Sequence, residues 1–231
     1  PNNPGGVVTP PEILTVINRL CAERGLFHIS DEAYDVFVHG GVPHRSPGAA
    51  SGSAAHTISL YSLSKGYGMA GWRIGYAAVP ELLRPALAKV LDTVQICPPA
   101  LTQHAGAAAL TTDPAWVRDH VAALRPRRQQ VLEAVAGWQA AGLPVRLWAE
   151  PDGAFYGLLQ IEGLGLGSDA LMERLVLEHR VALVSGRAFG LEEPGQCVLR
   201  LSYGMLDGPE LSEALERLAE GVRRLRQRSE Q

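Results

Sequence analysis

The sequence predicts an α/β first half followed by a smaller α+β unit. Two observations carry this reading. Helix-spaced and strand-like apolar runs alternate from Thr9 to Val94. A long helical pattern from Asp113 to Ala141 is then followed by short strands and two further helices. A chain of 231 residues has room for one or two domains. We place the boundary between residues 1–120 and 121–231, with the long helix as the join.

The elements follow in order. Residues 1–9 are turn chemistry, rich in Pro, Asn and Gly. Thr9 is a candidate helix cap, with Pro10, Pro11 and Glu12 behind it. Ile13, Leu14, Ile17, Leu20 and Cys21 recur at helical spacing, and Gly25 stops the helix. Leu26 to Ser30 reads as a short buried strand ending at Asp31 and Glu32. Gly40 to Ser53 is rich in Gly, Pro and Ser and predicts a loop. His56 to Tyr61 predicts a second strand, running into a glycine-punctuated loop, Ser62 to Gly71. Trp72 to Val79 predicts a third strand, and Pro80 to Val94 a helix. Behind the long helix come strands at Val145–Trp148, Ala154–Ile161, Val181–Ser185 and Val198–Ser202. Helices are predicted at Ser168–Arg180 and Gly208–Arg228.

Composition excludes several function classes. Hydrophobic residues make up 46% and charged residues 19%, which is globular rather than disordered. A net charge of -3 gives no reason to expect nucleic-acid binding. No apolar run is long enough to span a bilayer. Cys21, Cys97 and Cys197 lie far apart and form no CxxC pair, which fits a reducing, cytoplasmic setting. The histidines show no HxH or HExxH spacing, so no metal site is expected, and GxSxG is absent.

Lys65 is the strongest single signal. Only it and Lys89 are lysines among 21 basic residues. A retained lysine in an arginine-rich chain needs a reason, because a guanidinium cannot replace a nucleophilic amine. Lys65 is either a Schiff-base amine or a surface charge on a loop. Asp31 follows an apolar strand, where open α/β sheets bind ligands; it is either a partner for a protonated ring nitrogen or a turn former. Tyr34, three residues on, shares its side if a helical turn follows. Arg73 matches a phosphate ligand or a surface ion pair. Arg200 alternates in face with Leu199 and Leu201, so it either binds a carboxylate or faces water.

Taken together, Pro1 to Gly6, Asp31 to Tyr34, Ser62 to Lys65, Gly71 to Gly75, Gly186 to Gly190 and Leu199 to Ser202 resemble class I/II aminotransferases, which are fold-type I pyridoxal-phosphate enzymes. Their order and spacing carry the resemblance across the chain. It implies the C-terminal part of the large domain, with an incomplete mixed, mainly parallel sheet, and a small α+β C-terminal domain. It implies pyridoxal 5'-phosphate as cofactor, amino acid and 2-oxo acid substrates, and a homodimer. Lys65 would be the Schiff-base lysine and proton carrier. Asp31 would hold the pyridinium nitrogen, Tyr34 and Asn3 the ring hydroxyl oxygen, and Ser62 and Arg73 the phosphate. Arg200 would bind the substrate carboxylate, with Asn3 nearby. Gly5 replaces the usual Thr, at a position that is mainly a turn. The family's N-terminal part is not in this sequence, so poor stability and weak activity are expected of the chain alone. Carbon–sulfur lyases and transcription regulators with an aminotransferase-like domain share the same pattern.

Overall fold

The computed structural model describes residues 1–40, 43–191 and 195–229. The chain divides into two compact units. One comprises Pro1 and Val8–Val121; the other comprises Asn2–Val7 and Ala122–Gln231.

The first unit begins with α1 (Pro11–Glu23), β1 (His28–Asp31), β2 (Thr57–Ser62) and the single turn α2 (Leu63–Gly66). It continues with β3 (Gly75–Ala78), α3 (Arg84–Val94), α4 (Ala100–Thr111) and α5 (Ala115–Ala122), the last reaching the unit boundary. Its sheet has the order β1-β2-β3. β1 and β2 run parallel, with Asp31 opposite Leu60. β2 and β3 run antiparallel, with Ser62 opposite Gly75. The sheet is therefore mixed, with one pair of each kind.

Local chemistry explains several boundaries. α1 starts at Pro11, where a missing N–H is harmless. Thr9 does not cap it; extended Pro10 holds the cap position without a side-chain bond. The apolar spacing of α1 marks a helix but not its buried face. Ile13, Ile17 and Leu20 are exposed, and Asn18 is the buried residue. Asn18 Nδ2 donates to Thr57 Oγ1 (2.8 Å) and lies 3.0 Å from His28 Nδ1. Asn18 Oδ1 lies 3.0 Å from His56 Nε2. These bonds fix α1 to the starts of β1 and β2. Among its described residues the Gly40–Ser53 stretch holds a 3-10 turn at Pro47–Ala49 and ends on the first residue of another, Ser53–Ala55; positions 41 and 42 lie outside the described residues.

The second unit contains α6 (Arg125–Ala140), β4 (Val145–Leu147), β5 (Tyr156–Glu162), α7 (Ser168–His179), β6 (Val184–Ser185), β7 (Gln196–Ser202) and α8 (Gly208–Ser229). Its antiparallel sheet has the order β4-β5-β7-β6. Alternation sends Leu159, Ile161, Leu199 and Leu201 into one core with Val131, Leu171 and Leu175. α8 adds Leu211, Leu215, Leu218, Val222 and Leu225, one face at helical spacing.

The single helix expected over Asp113–Ala141 is two, α5 and α6. Pro126 is the reason. In a continuous helix it would lack an N–H and press on the carbonyl of Ala122. In the first turn of a new helix it does neither harm. The two units also differ in how they treat apolar side chains. The extended apolar cluster lies in the second unit. In the first, Ile29 on β1, Val94 on α3 and Leu101 on α4 are exposed at 63%, 77% and 73%.

Candidate active site

In the first unit, topology gathers the expected residues at one sheet edge. β1 and β2 are parallel, so both carboxyl ends lie together; β3 is antiparallel, so its start joins them. Asp31 closes β1 and is exposed, with its Oδ1 accepting from the Ala33 amide at 3.0 Å. Ser62 closes β2 and its Oγ accepts from the Ser64 amide at 3.2 Å. That bond starts α2, and Lys65 stands on it, exposed. Lys65 is thus on a helical turn rather than the expected loop, because Ser62 supplies the cap that the turn needs.

Arg73 precedes β3 rather than starting it. It ends the 3-10 turn Ala70–Trp72 in left-handed backbone (φ 53°), and its Nη1 donates to the Ala70 carbonyl at 3.0 Å. The strand waits for Gly75 for a steric reason. A Cβ there would lie 2.4 Å from the Tyr61 carbonyl oxygen. Only glycine lets β3 pair beside Ser62. Tyr34 follows β1 in a turn, buried, with its ring centroid 6.1 Å from that of Phe37.

Glu32 is the residue the sequence reading passed over. It is fully buried beside exposed Asp31. Its Oε2 is hydrogen-bonded to His44 Nε2, and its Oε1 accepts from Ser46 Oγ at 2.8 Å. Burial alone pushes the carboxyl up, but the bonds from His44 and Ser46 outweigh it and hold the pKa below its ordinary value. A buried acid twelve positions from its histidine leaves no periodic signal. The HxS spacing of His44 and Ser46 within a Gly/Pro-rich loop is the nearest to one.

In the second unit, β7 carries Arg200 opposite Leu158 on β5, on the face away from the Leu199 core. Its guanidinium lies 4.4 Å from the Tyr156 ring centroid and 5.2 Å from that of Phe189. Arg200 Nη1 donates to Asn3 Oδ1 at 2.7 Å. Arg200 Nε is buried with no hydrogen-bond partner among the described residues. Asn3 is in reach because residues Asn2–Val7 form a tight turn against β5. The Gly6 amide donates to the Asn2 carbonyl (3.1 Å), and the Gly153 amide to the Gly6 carbonyl (2.7 Å). Gly6 has φ +71°, and a Cβ there would lie 2.3 Å from the Tyr156 carbonyl oxygen. The seven expected residues thus fall into two groups: Asp31, Tyr34, Ser62, Lys65 and Arg73 in one unit, Asn3 and Arg200 in the other.

Residues 1–218 match the family model "Aminotransferase class I and II". The chain belongs to this family. A probable aspartate/prephenate aminotransferase of Aquifex aeolicus is 36% identical over 237 residues, covering 100% of this chain and 56% of that protein. Aromatic-amino-acid aminotransferase 2 of Thermococcus litoralis is 33% identical, over 94% of this chain and 54% of its own length. The chain spans about half the length of the curated aminotransferases it matches. Among solved structures, the aromatic aminotransferase of Pyrococcus horikoshii OT3 superposes with a TM-score of 0.86 at 33% identity. That match covers 97% of this chain and 59% of the other. Thermus thermophilus aspartate aminotransferase with maleate gives 0.84 at 34% identity, over 96% and 55%. The mixed α/β fold of this chain is the fold of those structures over the part they share. Among the described residues no helix is long and apolar enough to cross a membrane, and no group of three or more His, Cys, Asp or Glu could hold a metal.

Proposed function

We propose that this chain serves a pyridoxal-phosphate-dependent aminotransferase, which moves an amino group between an amino acid and a 2-oxo acid. One observation carries the reading: a primary amine, a carboxylate, a hydroxyl and a guanidinium stand at or beside one end of the sheet, at Lys65, Asp31, Ser62 and Arg73. That donor set fits a pyridine ring bearing an aldehyde and a phosphate. Pyridoxal phosphate, when bound, supplies a conjugated ring that takes up the electron pair left as the substrate α-carbon loses its proton.

The chain's own residues do the rest. The Asp31 carboxylate holds the proton on the ring nitrogen. The Arg73 fork and the Ser62 hydroxyl hold the phosphate. The Tyr34 hydroxyl would be a donor for the ring hydroxyl oxygen, a role the family resemblance also gives to Asn3. Lys65 Nζ would be the covalent attachment point and would hold the proton that leaves and returns to the α-carbon. The Arg200 guanidinium, held between Tyr156 and Phe189, pairs with the substrate α-carboxylate, and its buried Nε is a donor in need of an acceptor. A homodimeric assembly and a cytoplasmic setting belong to the same reading; the latter is supported by Cys21, Cys97 and Cys197, all free thiols.

The test is borohydride reduction of the chain with pyridoxal phosphate, beside Lys65→Ala, followed by peptide mass spectrometry. The expected result is a permanent adduct on Lys65 and none in the variant. An equal adduct in Lys65→Ala overturns the assignment. Turnover assays follow with aspartate and aromatic amino acids as donors and prephenate, a 2-oxo acid, as an acceptor, the classes for which the relatives are named. Product formation without a 2-oxo acid acceptor would replace transamination with elimination.

A further inference from the structure

Glu32 has no place in the chemistry above, yet it is the most heavily engaged acid of the first unit. Asp31, the last residue of β1, is exposed, and Glu32, the residue after it, is buried. Both Glu32 carboxylate oxygens are engaged, Oε2 by His44 and Oε1 by Ser46. The Ser46 hydroxyl donates to Glu32 and accepts from Tyr61 Oη at 3.3 Å. The Tyr61 ring stacks on Tyr76 of β3, with centroids 4.7 Å apart. The backbone is fixed as well: the Glu32 amide donates to the Leu60 carbonyl at 2.8 Å, and the Asp35 amide to the Glu32 carbonyl at 3.1 Å. One polar network therefore ties the end of β1 to β2 and, through Tyr61, to β3.

We propose that Glu32, clamped by His44 and Ser46, is a positioning residue that sets the direction of the neighbouring Asp31 carboxylate. The peptide joining the two residues cannot turn without drawing the Glu32 carboxylate off His44 and Ser46 and leaving it buried without them. With that peptide fixed, Asp31 Oδ1 stays on the Ala33 amide, and Oδ2 remains for a ring N–H. Such supporting contacts typically change ligand affinity or activity by about 10- to 100-fold when removed. The role toward a ring nitrogen rests on the reading given under Proposed function; the orientation of Asp31 does not.

Amide exchange measures that orientation without any cofactor. The Ala33 amide reports the Asp31 contact, and the His28 amide, bonded to the His56 carbonyl at 2.8 Å, reports the far end of β1. In the whole chain, Glu32→Gln and His44→Phe should each speed Ala33 exchange about tenfold while His28 changes less than about twofold. His44→Gln keeps a donor for the carboxylate and should stay near wild type. Pyridoxal phosphate affinity should fall about tenfold in the first two variants. Equal acceleration at Ala33 and His28 would make the network a general brace and overturn the proposal, as would an unchanged Ala33 amide. If Ala33 alone responds but wild-type protein takes up no pyridoxal phosphate, the cofactor reading fails and the positioning of Asp31 stands.

Discussion

Replacing Gly6 with alanine is the sharpest test of how the second unit holds Asn3. The new Cβ would lie 2.3 Å from the Tyr156 carbonyl oxygen and 2.7 Å from Pro151 Cβ, where ordinary contact begins at 3.4 Å. The residue also sits at φ +71°. If the Asn2–Val7 turn stays in place, left-handed backbone costs about 1–2 kcal/mol and the forced shift about 1–3 more. If the turn lifts away, it forfeits the Gly153–Gly6 bond, about 1 kcal/mol, and the Arg200–Asn3 bond, about 1.5–3 kcal/mol. The chain takes the cheaper route, so the loss is about 2–4 kcal/mol. At about 2 kcal/mol per M of urea this lowers the unfolding midpoint of the second unit by about 1–2 M. The assay is urea unfolding in a Trp72→Phe, Trp116→Phe background, so that Trp138 and Trp148 report the second unit alone. Exchange of the Gly153 amide is followed in parallel. Gly5→Ala is the control: its Cβ meets the Asn2 side chain at 3.2 Å without a positive φ, and it should cost less than about 1 kcal/mol. A Gly6→Ala midpoint within about 0.2 M of wild type, with Gly153 still protected, would refute the reasoning.

Three further outcomes are expected. His28 is held below its ordinary pKa of 6.5 by burial and by the nearby His56. The unfolded chain therefore takes up this proton first; the stability His28 contributes is full above pH 6.5 and is lost as pH falls from there toward the folded-state pKa. Urea midpoints of the first unit should drop between about pH 7.5 and about pH 5.5, and His28→Gln should flatten that slope; equal slopes would remove His28 as the cause. Arg200→Lys keeps the charge but loses the fork, so KM for the amino acid should rise about 10- to 100-fold at about 1.4 kcal/mol per tenfold, with kcat less affected. An unchanged KM would take the carboxylate away from Arg200. Leu159→Ala, in the second-unit core at 0% exposure, should cost about 2–5 kcal/mol by calorimetry, whereas Ile13→Ala at 47% should stay within about 0.5.

Much of the fold was legible because periodicity survives burial. α8 and β7 lie where their apolar spacing puts them, and Arg200 alternates with Leu199 and Leu201 as expected. What was not legible has local causes. The proline that opens α6 looks the same in sequence as one inside a helix, so the break after Ala122 was read through. α4 carries Ala107, Ala108 and Ala109 among small and apolar neighbours and shows no polar face. Arg73 takes up left-handed backbone, which apolar patterning does not encode, so β3 was started three residues early, at Trp72. In α1 the pattern marked a helix, while polar bonds at Asn18 chose the buried side. At the site, the lysine's rarity and the Asp31 position were legible. Glu32 was not, because its partners His44 and Ser46 stand in a segment without regular structure.

The bond between Asn3 and Arg200 spans 197 positions of the chain. During synthesis at about 5–20 residues per second, Asn3 therefore waits roughly 10–40 s before Arg200 exists. For most of that interval the Asn2–Val7 turn has no β5 to lie against, and every residue of the first unit is made before β5 begins. Arg200 and Asn3 are thus a late meeting of early and late sequence. A pulse-labelled chain released just short of β7 should expose the Asn2–Val7 segment to protease, and one released beyond it should shield that segment.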